Sequence, residues 1–263
     1  MDLGLRGKVA LVAAASRGLG RAIAEELAAE GASLVMCARG EEALTKAADA
    51  VRAASGVDVL SVRADVSRSE DVSRLVSSAI ARFGRIDILV TNAGGPPSGT
   101  FESLGADKWD DAVRLTLLST VNLCREVLPG MRQRKWGRII NVTSITVKQP
   151  VEGLMLSNSL RAGVTGFART LANEVARDGI TVNNILPGFT RTQRIEDLAK
   201  ATAEREGITI DEVMNRQKSS IPMGRLGEPR EFAALAAFLA SERASYITAT
   251  SVQVDGGWIR SLL

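Results

Sequence analysis

Residues 9–20, VALVAAASRGLG, decide the fold of this chain. Residues 9–14 form a short apolar run, which is typical of a buried parallel strand. A turn that contains two glycines follows, and residues 21–30 then have helical spacing that ends at Gly31, a frequent stop for a helix. A strand that passes through a glycine turn into a helix is the opening unit of a doubly wound α/β fold.

The same alternation continues along the chain. Further strands are predicted at residues 33–38, 57–64, 86–91, 138–142, 181–186 and 250–254, and helices at residues 41–54, 69–83, 157–178 and 228–240. Residues 108–134 are predicted to form one long helix that breaks near Pro129-Gly130. Residues 193–220 are more polar, and helical pieces above the sheet are expected there. The pattern predicts a single Rossmann-type domain over residues 1–263, with a doubly wound parallel sheet and helices on both faces.

Composition narrows the class of protein. The 263 residues carry a formal charge of +3, and no run of Lys and Arg is interleaved with aromatic residues, so nucleic acid is not an expected partner. No apolar run is long enough to span a bilayer, and the N-terminus does not resemble a signal peptide, so a cytoplasmic protein without membrane contact is expected. Cys37 and Cys124 lie far apart and suggest neither a disulfide nor a metal site. The chain has no histidine, the usual side chain for proton transfer near neutral pH.

The glycine turn indicates a nucleotide site. Glycines let the backbone approach a pyrophosphate, whose charge is favoured by a helix N-terminus, although a lone Gly-Leu-Gly can also simply pack a helix against a strand. Ala38 stands where NAD-binding proteins commonly have an acid, and Arg39 follows it. Arg17 and Arg39 suit a ribose 2′-phosphate, and the alternative is two solvated surface arginines. NADP(H) is therefore predicted in preference to NAD(H), with contacts from the turn residues Ala14, Ser16, Arg17, Gly18, Leu19 and Gly20.

The order of these motifs resembles the short-chain dehydrogenase/reductase family, and in particular its 3-oxoacyl-carrier-protein reductase type. The family turn is Gly-x-x-x-Gly-x-Gly, and its first glycine is Ala14 here, where a methyl group could shift the loop. The resemblance implies that Asp65 and Val66 contact adenine; otherwise Asp65 is an ordinary helix cap. It also implies cofactor contacts from the turn Asn92-Ala93-Gly94, which is otherwise a plain turn. Further contacts are implied for Pro187, Gly188 and Thr192.

The resemblance places the reaction site in residues 141–167, NVTSITVKQPVEGLMLSNSLRAGVTGF. In the family a serine is followed thirteen residues later by a tyrosine, and four residues after that by a lysine. This chain has Ser144, Ser157 and Arg161 at those positions, and Thr116 stands in the place of the family's asparagine. Ser157 cannot replace a phenol, whose reference pKa is about 10. Arg161 could hold the ribose or stabilise an oxyanion, but a guanidinium with a pKa above about 12 is a poor proton donor.

Other sources for the proton remain open. The only tyrosine, Tyr246, lies in a run that matches a structural segment of the family. Lys148 and Glu152 lie in the loop between the two serines and could act as acids if a pocket shifted their pKa, although loop charges are usually just solvated. A water molecule held by Ser144 and Arg161 is a further alternative.

Three functions are compatible with this sequence. The first is an oxidoreductase that transfers hydride between NADPH and a small carbonyl or alcohol, with an atypical acid. The second is a cofactor- or metabolite-binding protein without turnover. The third and most distant is a lyase similar to the halohydrin dehalogenases, which share the fold and use an arginine but lack dinucleotide motifs.

The resemblance also bears on the substrate lid and on assembly. Residues from about 190 to 222 occupy the place of the family's substrate lid and carry mixed charges, including Arg194. For apolar residues such as Ile195 and Leu198, two roles are open: they line a pocket from above, or they only pack the helices of this segment onto the domain. A homotetramer is what the resemblance implies for assembly.

Overall fold

The strands form one parallel sheet in a computed structural model that describes residues 2–262. The seven-stranded order is β3-β2-β1-β4-β5-β6-β7, and the chain reverses its direction of winding between β1 and β4. This topology confirms the predicted Rossmann-type α/β fold. The strands are β1 Val9–Val12, β2 Ser33–Ala38, β3 Val59–Arg63, β4 Ile88–Thr91, β5 Gly137–Val142, β6 Ile180–Pro187 and β7 Ser251–Val254.

Helices cover both faces of this sheet. They are α1 Gly18–Ala29, α2 Glu41–Ser55, α3 Ser69–Phe83, α4 Ala106–Ala112, α5 Ser119–Arg134, α6 Met155–Val175, α7 Gln193–Glu206, α8 Ile210–Ser220 and α9 Pro229–Ala240. Because successive side chains of a strand point to opposite faces, β1 sends Ala10 and Val12 into the core under α1, α2 and α9. Val9 and Leu11 enter the second core, under α3, α5 and α6. The near-continuous apolar strands follow from this burial on both faces.

The predicted break near Pro129 was wrong. Pro129 lies inside α5, which continues to Arg134. Proline removes the hydrogen bond to the carbonyl four residues earlier, here that of Arg125, but both residues are solvent-exposed, so water can donate to the freed carbonyl.

The real irregularity in this stretch comes earlier, in the π-helical segment Val113–Leu118. The hydroxyls of Ser119 and Thr120 donate to the carbonyls of Leu115 and Thr116, at 2.5 and 3.2 Å. Such back-bonding bends helices, and π-helical turns frequently occur beside functional sites.

A row of side-chain hydrogen bonds crosses four strands between residues that are paired in register. The Thr91 hydroxyl donates to Asn141 Oδ1 at 2.7 Å, and Asn141 Nδ2 donates to Asn184 Oδ1 at 3.0 Å. Asn184 Nδ2 then donates to Ser251 Oγ at 3.0 Å. The row therefore ties β4, β5, β6 and β7 together, from the last residue of β4 to the first residue of β7.

Replacing Asn141 with alanine is expected to reduce the free energy of unfolding by about 2–4 kcal/mol, because it leaves the Thr91 donor and the Asn184 acceptor buried without partners. Asn141 is 0% exposed. Urea denaturation measures this loss. Asn215→Ala, at an exposed position of α8, is the matched control and should change the free energy by less than about 0.5 kcal/mol. Equal losses in the two variants would show that the row does not stabilise the sheet.

None of the helices within residues 2–262 combines the length and the apolarity that crossing a bilayer requires.

Candidate active site

A cleft of about 640 Å³ opens at the carboxyl ends of the strands. Ligands of doubly wound folds bind at this edge, where the strand order reverses. The sheet brings together almost all of the predicted site residues here. The predicted residues that line the cleft are Ala14, Ser16, Arg17, Gly18, Leu19, Arg39, Asp65, Val66, Asn92, Ala93, Gly94, Ser144, Ser157, Arg161, Pro187, Gly188 and Thr192.

The turn between β1 and α1 forms the outer end of the cleft. Gly18 has a φ of +58°, and Ala14 has a φ of +51°, a left-handed conformation that costs an L-residue about 1–2 kcal/mol. Alanine thus adopts the backbone conformation that a glycine would take without strain. Two hydrogen bonds hold the turn, from the Ala13 amide to Val90 O at 3.1 Å and from the Ala15 amide to Cys37 O at 2.9 Å.

Gly20 lies behind this turn and does not line the cleft. A Cβ at Gly20 would lie 2.3 Å from Ala14 O and 2.8 Å from Asn92 Nδ2. Only glycine therefore lets α1 approach the turn so closely. Gly20 packs α1 against the turn, which is one of the two interpretations that the sequence leaves open for the Gly-Leu-Gly pair, and it can affect the cleft only through the shape of that turn.

Two arginines border the outer end of the cleft. Arg17 and Arg39 are exposed, and the guanidinium group of neither makes a hydrogen bond or an ion pair with another residue in the range 2–262. Ala38 at the end of β2 is 8% exposed and offers no carboxylate to a ribose. This end of the cleft therefore presents two free guanidinium groups to a ligand.

Asp65 makes its hydrogen bonds within the loop that precedes α3 and to the first turn of that helix. Its Oδ1 accepts from the Ser67 amide at 3.0 Å and from the Ser67 hydroxyl at 2.7 Å, while the Asp65 amide donates to Asp71 at 2.8 Å. Asp65 therefore orders the loop before α3 and does not cap the helix itself, whose N-cap is Arg68. Its second carboxylate oxygen makes no hydrogen bond within the described chain.

The inner end of the cleft is built on the end of β5. Ser144 Oγ accepts from the Thr146 amide at 3.1 Å and starts the 3₁₀ turn Ile145–Val147. Nη1 of Arg161, on the second turn of α6, donates to the carbonyls of Val142 and Thr143, both at 2.9 Å. These bonds fix the Arg161 guanidinium to the strand end beside Ser144.

Ser157 lies one helical turn before Arg161 and also lines the cleft. It is 7% exposed, and its hydroxyl makes no hydrogen bond within residues 2–262. The buried Thr143 and Thr146 hydroxyls also lack partners there. The Thr143 and Thr146 oxygens are fully buried, so of these three hydroxyls only that of Ser157 can reach a ligand in the cleft.

Burial and the nearby Arg194 lower the pKa of Arg161 to about 10. Desolvation acts against the charged form, and a second cation adds repulsion. Arg161 still remains protonated at neutral pH, so its charge faces the cleft without a carboxylate partner.

Thr116 does not line the cleft, although it is predicted to complete the catalytic group. It is 6% exposed, and its Oγ1 is buried without a partner. The π-helical segment instead presents the preceding residue, Leu115, to the cleft. The altered helical register accounts for this difference.

The other candidate acids do not line the cleft either. Lys148 Nζ donates to Gln253 Oε1 at 2.8 Å, which ties this loop to β7. Glu152 is exposed, and neither residue is among those that line the cleft. Tyr246 is fully exposed in the turn before β7, far along the surface from the strand ends that carry Ser144.

Arg194 is a cleft residue that sequence reasoning did not single out. It is the second residue of α7, and its Nη2 donates to Pro96 O at 2.7 Å, across the mouth of the cleft. Burial lowers its pKa as well. The signal in the sequence is weak, because Arg194 is one of several charges in a mixed segment.

A cleft at the topological switch point, with a glycine turn at one end and hydroxyl and guanidinium groups at the other, defines a dinucleotide-binding α/β protein.

Comparison with known proteins gives the family. The family described as enoyl-(acyl carrier protein) reductase matches residues 13–259. The chain is 38% identical over 255 residues to 3-oxoacyl-[acyl-carrier-protein] reductase FabG of Vibrio cholerae, covering 97% of this chain and 98% of that one. It is 35% identical to D-beta-hydroxybutyrate dehydrogenase of Cupriavidus necator over 266 residues, which cover 97% and 99% of the two chains.

A solved structure of L-sorbose reductase from Gluconobacter frateurii, complexed with NADPH and L-sorbose, has a TM-score of 0.94 and 38% identity over 100% of both chains. The chain belongs to the short-chain dehydrogenase/reductase family of NAD(P)-dependent oxidoreductases.

The residues present fit a nicotinamide dinucleotide. The glycine turn brings backbone close to the cleft, and a Cβ at Gly94 would meet no atom within 4 Å, so the floor beside β4 is open. The free guanidinium groups of Arg17 and Arg39 supply polar groups at the outer end, and the unpartnered hydroxyl of Ser157 supplies one at the inner end.

Proposed function

We propose that this protein is an NADPH-dependent reductase of a small carbonyl compound, working in a site where Ser144 is the family's serine and where Ser157 and Arg161 stand in place of its tyrosine and lysine. The observation that carries the proposal is the convergence of these three residues at the inner end of the cleft whose outer end bears the glycine turn. The same site would oxidise the corresponding alcohol in reverse.

Arg17 and Arg39 support the preference for NADPH over NADH. Both are exposed, free of ion pairs within residues 2–262 and part of the cleft lining together with Ala38, where an NAD-selective site would have a carboxylate. A ribose 2′-phosphate would accept charge-assisted hydrogen bonds from them. The L-sorbose reductase and an actinorhodin polyketide ketoreductase, 34% identical, are both described as NADPH complexes.

The chemistry of the site follows from its donors. Bound NADPH supplies the hydride. Ser144 Oγ already accepts a hydrogen bond from the Thr146 amide, so its own proton is free to donate to a carbonyl oxygen. Ser157 offers a second hydroxyl donor. Arg161 is held by two carbonyls and stabilises the negative charge that develops on the substrate oxygen, as donors of an oxyanion hole do.

The proton comes from water in this proposal. No tyrosine, lysine or histidine lines the cleft within the described chain. A water molecule held between Ser144 and Arg161 would protonate the alkoxide, whose basicity Arg161 lowers. The second candidate function, cofactor binding without turnover, is favoured by this same lack of a tyrosine, lysine or histidine, and a screen of carbonyl compounds with NADPH distinguishes the two.

Residues from about 190 to 222, which include helices α7 and α8, are proposed to form a substrate lid. α7 begins at the cleft, where Thr192, Gln193, Arg194 and Ile195 all contribute to the lining. Assembly as a homotetramer is proposed from the family.

The Arg39→Ala and Arg17→Ala variants test the cofactor assignment. Each should weaken the Kd for NADPH by about 10- to 100-fold, because a charge-assisted bond to phosphate is lost. The Kd for NADH should change by less than about twofold, since NADH has no 2′-phosphate. Calorimetric titration measures both constants.

Lys46→Ala is the control for this experiment, because it removes an exposed cation of α2 that is already paired with Glu42. It should leave both constants unchanged. Equal losses for NADPH and NADH in the arginine variants, or tighter binding of NADH by the unmodified protein, would contradict the assignment.

A further inference from the structure

Two guanidinium groups line the inner part of the cleft. Arg161 comes from α6 and Arg194 from α7, and both line the cleft. They lie close enough for the charge of Arg194 to depress the pKa of Arg161. Neither forms an ion pair with a carboxylate within residues 2–262, and the Asp197 carboxylate, which also lines the cleft and accepts from Gln193 Nε2 at 3.2 Å, acts on the charge of Arg194 only from a longer distance. Two like charges in a partly buried place are costly unless something negative joins them.

Both groups have donors to spare. Arg161 uses Nη1 for the carbonyls of Val142 and Thr143, which leaves Nε and Nη2 without partners in the described chain. Arg194 uses Nη2 for Pro96 O, which leaves Nε and Nη1. A carboxylate accepts hydrogen bonds at both of its oxygens and matches the planar fork of a guanidinium.

Two more features favour an anion at this point. Ser157, 7% exposed and without a hydrogen bond within residues 2–262, lines the same end of the cleft. Arg194 belongs to the first turn of the fourteen-residue helix α7, whose N-cap Thr192 makes no side-chain capping bond. The amide groups at such a helix end favour negative charge.

We propose that the substrate is a 2-oxo acid, whose carboxylate is bound between Arg161 and Arg194 beside Ser157. The proposal rests on the proposed function and names its substrate class. Arg161 serves both as a carboxylate ligand and as the stabiliser of the reacting oxygen, which requires the two groups to be on adjacent carbons. With NADPH bound, the carbonyl carbon would gain a hydride and the carbonyl oxygen a proton from water, so the products would be a 2-hydroxy acid, NADP⁺ and a hydroxide ion that the solvent neutralises.

Arg194 is the specificity-determining residue in this arrangement. Its helix belongs to the segment proposed as the lid, and its bond to Pro96 O, ninety-eight residues away in sequence, spans the mouth of the cleft. An anionic substrate would therefore bind to the floor through Arg161 and to the lid through Arg194.

The test uses binding first, so that it does not depend on turnover. Oxamate, an unreactive analogue of a 2-oxo acid, and its neutral counterpart oxamide are titrated calorimetrically into the protein saturated with NADP⁺, and inorganic phosphate is a third arm. Oxamate should bind at least about 10-fold more tightly than oxamide, because hydrogen bonds to a charged group are the stronger ones. Equal binding of oxamate and oxamide, or tighter binding of phosphate, would overturn the proposal.

Variants at position 194 locate the site. Arg194→Ala should weaken oxamate binding by about 10- to 100-fold while the Kd for NADPH stays within about twofold. Arg194→Lys should recover part of the loss. Lys200→Ala removes an exposed cation from the same helix and should bind oxamate normally. If Arg194→Ala weakens NADPH binding and leaves oxamate unaffected, Arg194 is a cofactor contact and the proposal is wrong.

Measurements of reductase activity test the proposed reductase function separately from the proposed 2-oxo acid substrate. The kcat/KM values are measured with NADPH for 2-oxo acids of three to six carbons and for their methyl esters. Faster reduction of the acids, lost in Arg194→Ala, supports the 2-oxo acid. Reduction of the esters but not of the acids overturns it while the proposed reductase function stands. Oxamate binding that depends on Arg194 without any NADPH oxidation supports the carboxylate site and removes the reductase function.

Discussion

Arg161→Ala is expected to lower kcat by about 10²- to 10³-fold, the size of effect seen when one donor to a developing oxyanion is removed. The reason is electrostatic, because Arg161 is the cation that the end of β5 holds beside Ser144. Its two bonds of 2.9 Å leave the guanidinium no freedom to turn away, so its charge is preorganised toward the cleft. The measurement is the rate of NADPH oxidation with the best carbonyl compound from the screen.

Arg161→Lys distinguishes the charge from the geometry. Lysine is the family's residue here, and it keeps the charge while losing the two-carbonyl anchor and the planar donor fork. Its kcat should fall between those of the unmodified protein and Arg161→Ala. Because Ser157 is no phenol whose pKa a lysine could lower, restoring lysine alone should not raise activity.

Arg169→Ala is the matched control for these variants. Arg169 lies two turns further along α6, and its Nη1 also donates to a backbone carbonyl, that of Ala249 at 2.6 Å, but outside the cleft. Its kcat should remain within about twofold of the unmodified value, since surface changes away from a site act mainly on stability. An Arg161→Ala variant that folds, binds NADPH and keeps full kcat would refute the oxyanion role.

The sequence predicted the fold well because the fold depends on local signals. Apolar strands, helical spacing and the glycine turn at residues 9–20 are each readable within about a dozen residues. The failure at Pro129 had a different cause. Whether a proline breaks a helix depends on whether the freed carbonyl reaches water, and that depends on which face of α5 is covered.

The candidate site was only partly predictable for the same reason. Ser144, Ser157 and Arg161 are separated by thirteen and then four residues, as in the family. This spacing was enough to predict from the sequence that they lie close together. Leu115 lines the cleft in place of Thr116 because of a π-helical register, and no residue pattern in the sequence predicted that register. Arg194 reaches the cleft through a bond to Pro96, and contacts across such a separation arise only from the packed structure.

Gly20→Ala is expected to cost about 1–3 kcal/mol of stability and to weaken NADPH binding by at least about 10-fold, because overpacking forces backbone to move. The added Cβ would lie 2.3 Å from Ala14 O and 2.9 Å from the Ala14 carbonyl carbon. Both atoms belong to the turn itself, and Ala14 is already in a left-handed conformation, so the turn has little room to relax. Urea denaturation and calorimetric titration with NADPH measure the two effects.

Gly166→Ala supplies the control with the opposite sign. Gly166 lies within α6, and a Cβ there would meet no atom within 4 Å. Alanine is the better helix former, so this variant should gain about 0.5–1 kcal/mol and bind NADPH normally. Stability loss in Gly20→Ala with unchanged NADPH affinity would mean that Gly20 only packs α1 against β1. Loss of both stability and NADPH affinity would mean that the close approach of α1 also shapes the turn proposed to bind phosphate. We expect this second result, because the added Cβ would clash with the Ala14 carbonyl and Ala14 also lines the cleft.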